Sequence, residues 1–246
     1  VSDGEKITRK TRRENTKHTK TQHEEHKKYA NFFSVVRVLF VFFVIFVLKR
    51  IMDDTLNLNP PAALHDLITV TQTIGFGLSS DMLTGSLLRT LAASKPAGQL
   101  LELGTGTGAG ACWLLDGMDA ASRLHTVDVD GTHVAVARQH LGHDKRITFY
   151  VEDGATAIQR MRSYGMKFDL IFADAMPGKY TQLDDALGLL KLGGVYVIDD
   201  LLQQPTWPDG HAAKVPALIA SLESRKDLRI TKLNWSTGLI LATKIL

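Results

Sequence analysis

The chain has 246 residues, 44% hydrophobic and 22% charged, with a formal net charge of +3 and one cysteine. A lone cysteine excludes an intrachain disulfide and fits a reducing compartment; a His/Cys zinc spacing, a Ser nucleophile elbow and an internal repeat are also absent from the sequence. Residues 1–51 hold 12 basic and 5 acidic side chains, and the remaining 17 basic and 21 acidic ones leave the rest at −4, which argues against a nucleic-acid partner for that larger part.

Residues 1–51 read as a leader distinct from the rest of the chain, with one glycine, one alanine and no proline. Within it, residues 32–48 (FFSVVRVLFVFFVIFVL) are almost wholly apolar, broken by Arg37. That stretch sits at the lower end of the ~17–25 residues that span a bilayer, and Arg37 near one end can snorkel. A signal peptide fits poorly, because the charged region before it is too long and no small-residue cleavage site comes after it. Three readings stay open: a single-span anchor, an interfacial segment, or an upstream stretch that is not normally translated. The expectation is a non-native or dispensable leader, with an anchor close behind, so a membrane is a partner only through residues 32–48. From Met52 to Leu246, about 195 residues are ample for one domain with a substantial core.

Residues 57–75 read as a helix after Pro60-Pro61, covering the active site or a dimer partner; a homodimer stays open. Leu100–Leu103 is a buried strand carrying Glu102, followed by the glycine turn Gly104-Thr-Gly106-Thr-Gly108 and a helix starting at Ala109. Arg123–Asp128, Ile147–Glu152, Phe168–Ala173 and Val195–Ile198 are further strands. They alternate with helices at 131–141, from Gly154 to about Ser163, and at about 180–191. Near-unbroken apolar strands alternating with helices imply a Rossmann-like, doubly wound α/β fold with a mostly parallel sheet. Ala212–Arg225 reads as a helix. Leu228–Leu233 and Thr237–Lys244 close the chain as a C-terminal antiparallel hairpin, for seven strands in all.

Glycines at every second position permit positive φ and let a ligand approach the backbone, while the next helix aims free N–H groups into the same crevice. The dinucleotide fingerprint is G-x-G-x-x-G. Here the spacing is G-x-G-x-G, with an acid two residues before it, suited to an ammonium rather than a pyrophosphate. Ligands bind beyond the carboxyl ends of parallel strands, and four of those ends are acidic. Asp128 is placed to accept ribose hydroxyls, with Val129 beside it; the bland alternative is a solvated turn with an N-cap for the next helix. Asp153, with Gly154 and Ala155, is placed near an adenine edge, where Asp153-Gly154 reads equally as an ordinary turn. Asp174, Asp199 and Asp200 would meet at one rim, a set of oxygen donors suited to Mg²⁺ or another divalent cation; the bland alternative is that Asp200 caps the next segment and Asp199 lines the pocket.

The glycine run resembles the first motif of class I S-adenosylmethionine-dependent methyltransferases. From Leu78 to Leu246 the chain is similar to the cation-dependent O-methyltransferases of the catechol and caffeoyl-coenzyme A type and their bacterial relatives. The matching residues are Glu102-Leu-Gly104 with Gly108, Asp128, the strand Phe168–Asp174 with Tyr180 beyond it, and Gly193-Gly194 before an acidic pair. The resemblance implies a cytoplasmic catalytic domain that methylates a hydroxyl of a small-molecule acceptor. It implies S-adenosylmethionine held by Ser80, Glu102, Gly104, Thr105, Gly106, Gly108, Gly110, Asp128, Val129, Asp153, Gly154, Ala155 and Asp174. It also implies a metal held by Asp174, Asp199 and Asp200, with Asp174 counted as catalytic.

Two positions depart from the family pattern. Asp200 stands where the family usually has Asn, and Pro177 stands where many members place a lysine base three residues after the first metal acid. Lys179, two residues further on, is expected to point elsewhere. A substitute base is His211, at the end of the insertion Leu201–His211, in which Trp207 would form an aromatic wall; the bland reading is that His211 merely opens the next helix. The rival functions are a cation-independent methyltransferase, a propylamine transferase or nicotinamide dehydrogenase on the same fold, and a non-catalytic cofactor-binding or membrane-tethered protein.

Overall fold

A computed structural model describes residues 27–28, 31–44, 53–77, 79–205 and 207–246. The chain divides into two compact units, one ending at Leu56 and one running from Asn57 to Leu246. In the first, residues 31–44 are helical, with Phe32, Phe33, Phe40, Phe42 and Phe43 exposed. Among the described residues no helix is long and apolar enough to cross a membrane. The rest of the expected apolar segment, residues 45–48, lies outside the described residues, as do residues 1–26 of the leader.

The second unit begins with helices α1 (Ala62–Thr73) and α2 (Met82–Ala93). Next come β1 (Gln99–Leu103), α3 (Ala109–Gly117), β2 (Arg123–Asp128), α4 (Gly131–Leu141), β3 (Ile147–Val151), α5 (Gly154–Ser163) and β4 (Phe168–Ala173). A short, kinked α6 (Met176–Lys179), α7 (Leu183–Gly188), β5 (Leu190–Ile198), α8 (Lys214–Glu223), β6 (Leu228–Leu233) and β7 (Leu239–Lys244) complete it. The seven strands lie in the order β3-β2-β1-β4-β5-β7-β6. Every pairing from β3 to β5 is parallel, while β7 runs antiparallel to both β5 and β6. This is the expected doubly wound sheet with its terminal hairpin.

Each strand face has its own core. Leu101, Leu103, Ile171, Ala173 and Ile198 pack against α5, α7 and α8, whereas Leu100, Leu170, Phe172 and Val197 pack against α1, α2 and α3. Alternation along β1 therefore turns Glu102 toward the second layer, where it is fully buried. Strand order reverses at β1, since β2 lies on one side of it and β4 on the other, and that places the crevice above the carboxyl ends of β1 and β4.

The first helix begins at Ala62, directly after Pro60-Pro61 as expected, with Pro61 as its N-cap. Two local features differ from the expectation. The helix expected over 180–191 shortens to Leu183–Gly188, because Leu190 pairs with Phe168 and starts β5 early. At Pro177-Gly178 the backbone leaves helical geometry, with ψ 133° at Pro177 and φ 87° at Gly178.

Candidate functional site

The turn after β1 is built by positive φ at Gly104, Gly106 and Gly108 (106°, 50° and 101°). At Gly104 a side chain is excluded, since a Cβ would lie 2.7 Å from the Asp174 carbonyl oxygen. The ends of β1 and β4 therefore come together. Asp128 ties the turn to β2: its Oδ2 accepts the Gly106 N–H at 2.7 Å and its Oδ1 the Asp130 N–H at 2.9 Å.

A cavity of about 190 Å³ opens above this turn, lined by Ser80, Gly104–Thr107, Gly110, Asp128 and Asp174 among others. Phe76 and His133 close one side, their ring centroids 4.2 Å apart. A second cavity of about 100 Å³ continues past Asp128 and Ala175 to Val129, Asp153 and Gly154. Most of the expected cofactor residues thus line one cavity or the other, and Gly104 and Asp128 line both.

Glu102 lies beneath the first cavity. Its Oε2 accepts the Thr126 hydroxyl at 2.5 Å, and Thr126 is 2.6 Å from the Thr105 hydroxyl. Its Oε1 is buried without a hydrogen-bond partner among the described residues. It borders Gly110, where any Cβ would overlap it. Burial pushes the Glu102 carboxyl up to about 8; the Thr126 hydrogen bond opposes this, and the Asp174 and Asp128 charges add to it. An orphaned acceptor under a glycine cradle suits a ligand that brings its own cation.

Two expected cofactor residues lie outside the lining of both cavities. Gly108 is a packing position: a Cβ there would lie 2.9 Å from that of Ala137 on α4. Ala155 sits in the first turn of α5, outside the lining of either cavity. Asp153 caps α5, accepting the Thr156 N–H at 3.0 Å, and also lines the second cavity. Phe76 and His133 join the site without any signal in the sequence, because nothing local pairs a loop phenylalanine with the first turn of α4.

The acidic rim departs most from expectation. Asp174, at the end of β4, is almost buried; its Oδ2 lies 3.4 Å from the Ser80 hydroxyl and its Oδ1 3.7 Å from the Lys179 ammonium. Lys179 does not point elsewhere. Positive φ at Gly178 folds the 176–181 turn back, pinned by Gly178 N–H to the Thr181 carbonyl and Tyr196 O–H to the Gly178 carbonyl, both 2.7 Å. Lys179 is thereby buried at 4% exposure beside Asp174. Asp199, also buried, accepts at Oδ1 both the Thr237 hydroxyl and the Asp200 N–H. Asp200 comes next in left-handed geometry, φ 56°.

The expected metal ligands do not fit a divalent ion. Among the described residues no three His, Cys, Asp or Glu side chains are placed to hold one. One oxygen of Asp199 is already taken by two donors, and a cation, Lys179, stands against Asp174.

Across the rim, His211 Nε2 lies 3.1 Å from the Tyr180 hydroxyl. The His211 ring packs on Trp207 with centroids 4.5 Å apart. Burial, then the Lys179 and Lys214 cations, lowers the His211 pKa, with Asp200 opposing. His211 thus faces the rim rather than merely opening α8. Trp207 stands beside His211, and its Nε1–H is buried without a hydrogen-bond partner among the described residues. Beyond Lys179 and Tyr180 a groove of about 850 Å³ runs between α7 and α8.

Residues 61–245 match the model of a family described as O-methyltransferase. A relative in Mycobacterium sp. (strain KMS), provisionally named an O-methyltransferase, is 33% identical over 122 residues, 46% of this chain and 53% of that one. A similarly named protein of Mycolicibacterium vanbaalenii is 32% identical over 133 residues, 51% and 56% of the two chains. The matches thus span about half the length of these curated relatives. Among solved structures, the O-methyltransferase TomG from Streptomyces achromogenes, in complex with S-adenosylmethionine, superposes with TM-score 0.69 at 22% identity, covering 80% of this chain and 95% of that one. The Bacillus cereus O-methyltransferase in complex with S-adenosylhomocysteine gives 0.68 at 19% identity, covering 80% and 97%. At these identities the structures speak for the fold.

Proposed function

Because the chain belongs to the O-methyltransferase family, we propose that it transfers a methyl group from S-adenosylmethionine to a hydroxyl of a small molecule. The observation that carries this reading is the orphaned, buried Oε1 of Glu102 beneath the glycine cradle. It is a free acceptor for the α-ammonium of a methionine moiety. The narrow continuation past Asp128 toward Asp153 suits the ribose and base.

When bound, S-adenosylmethionine supplies an electrophilic methyl on sulfur. The acceptor oxygen attacks that carbon, the carbon–sulfur bond breaks, and its electron pair stays on the thioether of S-adenosylhomocysteine. Alignment of oxygen, carbon and sulfur supplies much of the rate. The 850 Å³ groove beside Lys179 and Tyr180 is the entry for the acceptor, and Trp207 backs the His211 ring that meets Tyr180 at its edge. The acceptor's hydroxyl proton goes to His211, whose lowered pKa keeps the ring neutral and able to accept it near pH 7. No step runs through a divalent cation.

Calorimetric titration of the full chain with S-adenosylmethionine tests the reading directly: stoichiometric binding is expected, and a folded chain that does not bind would remove it. Asp128→Ala frees the Gly106 and Asp130 amides as well as the ribose acceptor. Cofactor affinity should then fall by roughly 10- to 100-fold, since a lost hydrogen bond to a charged group is worth ~1.5–3 kcal/mol. His211→Gln should lower turnover of a phenolic acceptor by about 10²–10⁴ while the cofactor dissociation constant stays within a few-fold. Equal losses in both quantities would make His211 a structural residue.

A further inference from the structure

We propose that the Lys179 ammonium is the built-in cation of this acceptor site, standing where its relatives by resemblance place a divalent metal. The proposal rests on the methyltransferase reading for its chemistry, and on the geometry of the 176–181 turn for its substance. A lysine is seldom buried unless a charge meets it. Here Lys179 is 4% exposed, and its ion pair is with Asp174, the first of the three acids expected to bind metal. A magnesium ion sits ~2.0–2.1 Å from its oxygen ligands. An ion on Asp174 Oδ1 would therefore lie within about 6 Å of the ammonium, two cations competing for one buried carboxylate.

The surrounding structure favours the lysine. Tyr196 and Thr181 pin both polar backbone groups of Gly178, so Lys179 is delivered by a rigid turn and not by a mobile side chain alone. Asp199 commits Oδ1 to Thr237 and to the Asp200 amide and keeps only Oδ2 for a cation, so the ammonium beside Asp174 is the deciding obstacle to a metal. The sequence carries the same exchange. Pro177 occupies the position where the family's lysine is usual, and the Pro-Gly turn carries a lysine back from two residues further along. In the reaction, the ammonium lies where it can draw the acceptor oxygen toward the cofactor and stabilise it as its proton leaves. It does this as a monovalent donor of three hydrogen bonds rather than as a Lewis acid.

The test uses the full chain and Mn²⁺ alone, with free Mn²⁺ read by electron paramagnetic resonance. S-adenosylhomocysteine binding, read by calorimetry, reports folding and tests the cofactor reading separately. Wild type is expected to leave Mn²⁺ free. Lys179→Met should take up Mn²⁺ at least ~100-fold more tightly, because the acids lose their internal counter-charge. Adding Asp174→Asn to Lys179→Met should abolish that uptake. Wild-type uptake that Asp174→Asn removes would overturn the proposal. So would a folded Lys179→Met chain that takes up no more Mn²⁺ than wild type. Wild type that fails to bind S-adenosylhomocysteine would sink the methyltransferase reading, while the Mn²⁺ comparison still decides what Lys179 replaces.

Discussion

Glu102→Gln is expected to abolish S-adenosylmethionine binding and, in the same protein, to raise the melting temperature of the ligand-free chain above pH 8. Both effects come from one buried carboxyl. Its Oε1 has no hydrogen-bond partner among the described residues, and burial raises its pKa from the ordinary 4.5 to about 8. A carboxyl that keeps its proton more tightly when folded makes the native state bind more protons than the unfolded one between those two values. Stability is then full below about pH 4.5 and falls as pH rises toward 8. At ~1.4 kcal/mol for each pH unit, the whole window is worth roughly 4–5 kcal/mol. That corresponds to a melting shift on the order of 10 °C for a domain of this size.

Glutamine keeps the Thr126 hydrogen bond through its amide oxygen but cannot ionise, so its melting temperature should lack this slope. The ammonium-bearing ligand should reverse the balance by pairing with the ionised form. Binding to wild type at pH 7 is therefore expected to release close to one proton (~0.9, from the separation between pH and pKa). Calorimetry in two buffers of different ionisation enthalpy measures that number. Parallel pH–melting curves for wild type and Glu102→Gln would show that the carboxyl is not destabilising. Unchanged affinity in the variant would remove it from the ligand site.

Most of this site is legible in the sequence. Apolar runs ending in acids mark β1, β2 and β4, because a parallel sheet covered on both faces leaves few polar positions except at the strand ends. The line that runs from Glu102 through the glycines to Asp128 in sequence is also the floor and wall of the first cavity. Long-range placements are hidden. Phe76 and His133 meet across 57 positions, and no periodicity couples them. Lys179 escapes the sequence because a lysine shortly after a strand reads as extended or helical. A Pro-Gly pair is instead a turn signal, and the backbone there alternates between extended and left-handed geometry. The short α7 is overextended in the sequence for a related reason: Leu187, Leu189 and Leu190 are equally good for a helix or a strand, and only pairing with Phe168 decides between them. Gly108 has the spacing of a cofactor glycine, whereas its neighbour in space is Ala137.

The turn that delivers Lys179 depends on one glycine, and Gly178→Ala is expected to be costly in both stability and turnover. At φ 87° an L-residue carries ~1–2 kcal/mol of left-handed strain. Its Cβ would also overlap Leu103 Cδ1 and stand 2.9 Å from the Tyr196 hydroxyl, a form of overpacking that costs ~1–3 kcal/mol. Together they predict about 2–5 kcal/mol and a melting drop on the order of 5–15 °C. Gly165→Ala separates the two causes, because Gly165 has φ 66° but open space around its Cβ position; it should show only the strain. The functional cost should be asymmetric. Displacing the Gly178 carbonyl breaks the Tyr196 hydrogen bond and moves Lys179 off Asp174, whereas the Glu102 carboxyl lies on the other face of β1 and only Leu103 and Pro177 connect the turn to the second cavity. Turnover at a temperature where the variant is folded should therefore fall far more than cofactor affinity. Equal melting temperatures for Gly178→Ala and Gly165→Ala would mean that the rim absorbs the methyl, and that the position of Lys179 is not held by this turn.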